Sequence, residues 1–225
     1  MTVSPSTPGS LLAICRVHQL LPSVTTWGIT AIDKRPVTGL VNFRKMGLYG
    51  DVQVDREHHG GLDQAVYAYS QEEADYWSAE LGRPITAGLF GENLRTQGIA
   101  TTDAVVGTRW RIGTAVLEVT SPRTPCATFA ERMGEPKWVK RFTQAGRVGC
   151  YLRVIQTGKA QAGDEIVEEF VPSHGITAGM VFQGLSLQDA QTLLALHASG
   201  ELVLADSVVK ESLKVFKRHG VQNSF

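Results

Sequence analysis

The chain has 225 residues, 22 Lys+Arg against 22 Asp+Glu, 43% hydrophobic residues and three cysteines. Balanced charge leaves no electrostatic footprint for nucleic acid or an anionic membrane face, and the length suffices for a sizeable core. Cys15, Cys126 and Cys150 are far apart and form no CxxC, which argues against a disulfide framework or a structural zinc site and fits a reducing compartment. No signal peptide is visible and no apolar run approaches the ~20 residues of a membrane span, so a cytoplasmic, membrane-free protein is expected.

Residues 1–10 hold prolines, Ser/Thr and a glycine and read as a loose tail. Leu11 to Leu20 and Thr25 to Ile32 read as strands, the second running into Asp33-Lys34-Arg35-Pro36-Val37. Two adjacent cations before a proline are either a solvated loop or the charge that a phosphate-bearing ligand needs. Gly47, Gly50 and Asp51 mark a turn. In His58-His59-Gly60-Gly61 the glycines permit close backbone approach, and His59 beside them is the better site candidate. The alternative there is a polar turn into the strand Gln64 to Tyr69.

Ser70-Gln71-Glu72-Glu73 has the form of a capping box, and Ala74, Trp77 and Leu81 share one face of the helix it opens. In Gly88-Leu89-Phe90-Gly91-Glu92-Asn93-Leu94 the glycines bracket a turn whose Asn93 offers a donor and an acceptor. Val105 to Thr120 is the strongest β region, with Gly113-Thr114 turning a hairpin. Lys137 to Ala145 reads as a short helix, and Val148 to Val154 as a strand that puts Cys150 on a core face. Another strand opens at Gly163-Asp164-Glu165-Ile166. After Pro172 two helices are expected, the first capped by Ser186 and the second by Asp206. The organisation is therefore a tail (1–10), a β-rich domain (11–172) and a helical extension (173–225).

The most unusual stretch is Ser121-Pro122-Arg123-Thr124-Pro125-Cys126. Its prolines cannot join a central ladder, so the strand should end near Thr120 and a stiff loop should present Cys126 at the sheet rim. Arg123 could favour the thiolate if the fold brings it close. Such a thiol suits a soft-metal ligand or a nucleophile, and equally the ordinary role of a small buried hydrophobe.

From about Trp27 to Val167 these segments together resemble the MOSC family, the fold shared with the C-terminal domain of molybdenum cofactor sulfurases. They are most similar to its small bacterial branch, which reduces N-hydroxylated compounds such as N-hydroxylated purine bases. The resemblance rests on the Thr30–Val37 box, Gly47–Asp51, His59-Gly60-Gly61, Phe90–Leu94, Pro122–Cys126, Gly149-Cys150-Tyr151 and Gly163-Asp164. It implies a mainly β (α+β) fold, a MOSC-type β-barrel with a few peripheral helices and a short helical C-terminal extension. It also implies a molybdopterin cofactor with Cys126 on the metal. Lys34, Arg35 and Arg123 would anchor the cofactor, with Asn93 and Thr124 as neutral donors. His59 matches the family's HGG position, and the ordinary histidine pKa near neutrality makes it the expected proton source. A detoxifying reductase of this kind needs an external electron donor such as a flavoprotein reductase. The alternative is a non-catalytic carrier of the molybdenum cofactor or sulfur. Pyridoxal phosphate is not expected, because the large desulfurase domain is lacking. Oligomeric state is not legible, a homodimer being one possible assembly.

Overall fold

The computed structural model describes residues 8–23, 27–54 and 60–220. The chain opens with β1 (Gly9–Val17), the small ribbon of β2 (Leu21–Pro22) and β3 (Ile29–Thr30), then β4 (Lys34–Val37), β5 (Val41–Arg44) and β6 (Gly47–Leu48). Next come β7 (Val66–Ser70), α1 (Gln71–Leu81), β8 (Leu94–Gln97) and the hairpin of β9 (Arg109–Ile112) and β10 (Ala115–Pro122). The helices α2 (Ala127–Met133) and α3 (Trp138–Ala145) precede β11 (Cys150–Gln156), β12 (Gly158–Ala160) and β13 (Glu165–Phe170). The described chain finishes with α4 (Ala178–Gln183), α5 (Leu187–Ala198) and α6 (Asp206–Arg218).

Seven strands close into a barrel in the order β1-β13-β9-β10-β11-β7-β8 and back to β1, with β4 added alongside β1. Neighbours are antiparallel except β7 and β8, which are parallel. Closure leaves the ring without unpaired edges, and the expected mainly β barrel with peripheral helices is what forms. Leu11, Ile14, Trp110, Leu117 and Leu152 belong to the core cluster that Cys150, fully buried, also joins.

β7 explains why the helices sit where they do. Every residue in it is buried. Val66 and Ala68 face the barrel core, whereas Tyr67 and Tyr69 belong to a second cluster with Phe90, Phe129, Trp138 and Phe142. Its alternation is apolar on both faces, so a strand of this composition needs cover on both sides. α1, α2 and α3 supply it outside the barrel.

Several local expectations need correction. The strand does not end at Thr120: β10 runs to Pro122, which pairs with Cys150 across a register shift between Val119 and Ser121. A proline is tolerated there because it is the last strand residue. Asp206 is the first residue of α6 and Ala205 is the cap. Of Thr25 to Ile32 only Ile29 and Thr30 form strand, Thr25 and Thr26 lying outside the described residues. Ser186 and Asp189 do form the full reciprocal capping box. The helical extension is tied into the barrel. Ala178 joins the barrel cluster, and His174 accepts from Ile176 N at Nδ1 (3.0 Å) while Nε2 lies 3.0 Å from the Val106 carbonyl. No helix among the described residues is long and apolar enough to cross a membrane.

One buried ion pair fixes the loop that leads into β8. Glu92 accepts from Gly88 N (2.7 Å) and Phe90 N (3.1 Å), and it pairs with Arg95, which also donates to the Ile85 carbonyl (3.0 Å). Removing the carboxylate strands a buried guanidinium and two amides, a change that costs about 3–5 kcal/mol. Glu92→Ala should therefore lower the urea midpoint by at least that equivalent. A loss below about 1 kcal/mol, the scale of a surface pair, would contradict this role.

Candidate active site

A cavity of about 140 Å³ opens against the outer face of β7 and β11, and Lys34, Asp51, Asn93, Arg123 and Cys126 all line it. Lys34 sits at the start of β4, held by close backbone approach. A Cβ on Gly88, which has φ +86°, would come within 2.3 Å of the Lys34 carbonyl oxygen, so only glycine allows this contact. Lys34 forms an ion pair with Asp51, and both side chains are nearly buried. Asp51 is itself fixed, accepting from Val17 N (2.7 Å) and from Asn93 Nδ2 (2.7 Å).

Asn93 has little to offer a ligand. Its Nδ2 also donates to the Cys15 carbonyl (3.2 Å), and its Oδ1 accepts from Tyr67 N (3.2 Å). Both amide hydrogens are in use, so Asn93 ties β1, β7 and Asp51 together and acts as a positioning residue.

The lining also carries a buried cation. Arg123 is only 5% exposed, so the loop expected at the sheet rim buries its arginine. Its guanidinium stacks over Phe129 at 3.9 Å and lies 5.1 Å from the Tyr67 ring centroid. No carboxylate pairs with it among the described residues, and Nη1 is buried without a hydrogen-bond partner. Burial acts to lower its pKa, but the phenols of Tyr67 and Tyr151 and the Cys126 thiol outweigh that and hold it above the ordinary value. Arg123 and Cys126 are thus brought within electrostatic reach, as the loop sequence suggested. Cys126 is half-buried at the start of α2. Burial raises the Tyr151 pKa above the ordinary phenol value, opposed by the charge of Arg123 and by a hydrogen bond between the two side chains.

The fold does not gather every anticipated residue. Arg35 is 56% exposed on the far side of β4, with Nη2 3.3 Å from Asp33 Oδ2, and it does not line the cavity. Thr124 is exposed and also absent from the lining. His59 lies outside the described residues. Tyr67, Tyr151, Gln64 and Asp51 line the cavity too, beyond the residues the sequence singled out. Tyr67 and Tyr151 had a signal, because each alternates with core residues of its strand and so must face outward. Asp51 had none, since its partners Val17 and Asn93 are 34 and 42 residues away.

Residues 55–167 match the MOSC domain family. The uncharacterized protein YflK of Bacillus subtilis is 32% identical over 183 residues, which cover 81% of this chain and 80% of YflK. A protein named "Reductase" from Gibberella moniliformis is 33% identical over 164 residues, 71% of this chain but 29% of that protein. The crystal structure of YiiM from Geobacillus stearothermophilus matches with TM-score 0.71 and 27% identity, over 92% of this chain and 99% of that one. The chain belongs to the MOSC domain family.

The three thiols differ sharply. Burial, helped by Glu92, pushes the Cys15 pKa up to about 12, and burial takes Cys150 well above the ordinary thiol value. Alkylation with iodoacetamide at pH 8 should therefore modify Cys126 alone in folded protein, the other two reacting only in denaturant. Peptide mass mapping that finds all three labelled at similar rates would contradict the placement of Cys15 and Cys150.

Proposed function

We propose that this MOSC protein is a molybdopterin-dependent oxidoreductase that reduces N-hydroxylated compounds, such as N-hydroxylated purine bases, to amines. The observation that carries the reading is one cavity holding both a cysteine and a buried guanidinium nitrogen that lacks a partner. A desolvated cation in that position asks for an anionic ligand. The fungal relative named "Reductase" points the same way.

The residues fit the cofactor. Among the described residues no cluster of three or more His, Cys, Asp or Glu is placed to hold a metal ion. Cys126 would add the protein's soft sulfur ligand, and Arg123 would face the dithiolene or phosphate. Lys34 is a weaker anchor, because Asp51 already neutralises much of its charge. When bound, molybdopterin supplies a two-electron centre able to accept oxygen.

The reaction R–NHOH + 2 e⁻ + 2 H⁺ → R–NH2 + H2O needs orientation, protons and electrons. Tyr67 and Tyr151 line the cavity as aromatic residues suited to a planar substrate, and the Tyr151 hydroxyl can donate a hydrogen bond to it. His59 is the proposed proton source, the ordinary histidine pKa lying near neutrality. Electrons come from a separate donor, a flavoprotein reductase being the expected class.

Two variants test the site. Arg123→Met keeps much of the packing volume while removing the charge. Burying a charge costs several kcal/mol, against about 2 for a desolvated cation–π contact, so the melting temperature should stay level or rise. Molybdopterin content should fall at least tenfold; full loading would remove Arg123 from the site. Cys126→Ser should keep the fold and abolish both bound molybdenum and reduction of an N-hydroxypurine by a chemical reductant. Cys150→Ser, burying a hydroxyl in the barrel core at about 1–3 kcal/mol, should lose stability and keep activity per folded molecule. The reverse pattern would identify Cys150 as the metal ligand.

A further inference from the structure

Two residues that line the cavity each carry a buried polar atom without a partner, Arg123 Nη1 and Gln64 Oε1. Their demands are opposite. The guanidinium nitrogen is a donor and is answered by an anion. The amide oxygen is an acceptor, and nothing in the reductase reading uses it. Buried polar atoms of folded proteins are nearly always paired, so an orphan acceptor on a residue that lines a cavity marks a place where a donor is to arrive.

Gln64 is also held in place. It ends a turn (Leu62–Gln64) that leads directly into β7. Gln53 Nε2 donates to the Gln64 carbonyl (3.3 Å) and the Met46 carbonyl (3.2 Å), while Gln53 Oε1 accepts from Gly61 N (3.0 Å). One residue back, the Asp63 carbonyl accepts from Thr120 Oγ1 (2.5 Å), and the Asp63 carboxylate pairs with Arg153 at 3.1 Å. The backbone beneath Gln64 is therefore fixed on several sides before any ligand binds, which is what a specificity contact requires. Trp27, Tyr67 and Tyr151 line the same cavity.

We infer that Gln64 Oε1 accepts a hydrogen bond from a ring N–H or amino group of a planar nitrogen heterocycle bound in this cavity, which makes Gln64 a specificity-determining residue. The inference rests on the reductase reading and names the feature that its ligand must carry. Two molecules in that reading have such a donor, the pterin of the cofactor and an aminated base, and they are separable by experiment.

Wild-type and Gln64→Met protein, both full-length and made in a molybdopterin-competent host, are compared in two assays. The first is pterin content per protein; the second is calorimetric binding of adenine and of 9-methylpurine, which has no N–H. If the donor is the pterin, its content falls at least fivefold in the variant. If the donor is the base, pterin content is equal, wild type binds adenine at least tenfold tighter than 9-methylpurine, and the variant loses that preference. Equal pterin content together with an equal adenine preference in both proteins, or with none in wild type, overturns the inference and leaves the acceptor to solvent. Should the variant not fold, a wild-type protein that fails to prefer adenine and binds pterin no tighter than a pterin methylated at its ring nitrogens and amino group overturns it equally. Wild-type protein devoid of pterin counts against the reductase reading alone, since the calorimetry still decides Gln64.

Discussion

The geometry of the cavity depends on a carboxylate that never touches it. Glu92 is fully buried, and its two oxygens collect the amides of Gly88 and Phe90 together with the Arg95 guanidinium. That gathers the loop before β8 into a tight arch. At one foot of the arch Gly88 lies against the Lys34 carbonyl, and at the other Asn93 bridges β1, β7 and Asp51. A buried ion pair is weak evidence of net stability, because desolvation offsets much of its Coulomb energy. What Glu92 contributes is position: no apolar residue could satisfy the same two amides and the guanidinium at once.

Arg123 has the opposite character. Its charge is buried on aromatic faces with no carboxylate beside it, an arrangement that weakens the folded state more than a methionine there would. Glu92 satisfies its neighbours within the fold, whereas Arg123 leaves a demand open towards the cavity. Stability and binding pull in different directions at that residue, the usual signature of a functional position. Lys34 lies between the two cases, since Asp51 answers it inside the protein.

The sequence made much of this legible where the signal was local. The alternation in Cys150, Leu152 and Val154, the Gly113-Thr114 hairpin and the Ser186 capping box all depend on neighbours a few residues away, and all of them form. The loop of Arg123 and Cys126 was legible because prolines and a thiol in so few residues are rare. What escaped depended on long-range contacts. The burial of Arg123 comes from Tyr67 and Phe129 packing on it, and a loop sequence alone suggests a rim. The adjacent cations Lys34 and Arg35 looked alike, yet strand alternation sends them to opposite sides, Lys34 to Asp51 in the cavity and the largely exposed Arg35 to the buried Asp33. Gln64 carries no sequence signal at all; only its unpaired oxygen distinguishes it.

The cavity's place in the fold follows from β7. A barrel strand normally has one face in the core and one in water, but β7 is apolar on both, and the second face recruits Phe90, Phe129, Trp138 and Phe142 from the surrounding loops and helices. The aromatic cluster stops short at Tyr67 and Tyr151, whose rings pack 5.4 Å apart at its edge. Beyond them the wall turns polar, with Arg123 on one side and Asn93 on the other. The site therefore lies on the seam where the outer aromatic cluster gives way to polar loops. The barrel supplies rigid strand ends, and the cluster excludes water from one wall. That low-dielectric backing strengthens any charge interaction Arg123 makes with an anion, far beyond what a guanidinium on an open surface could offer.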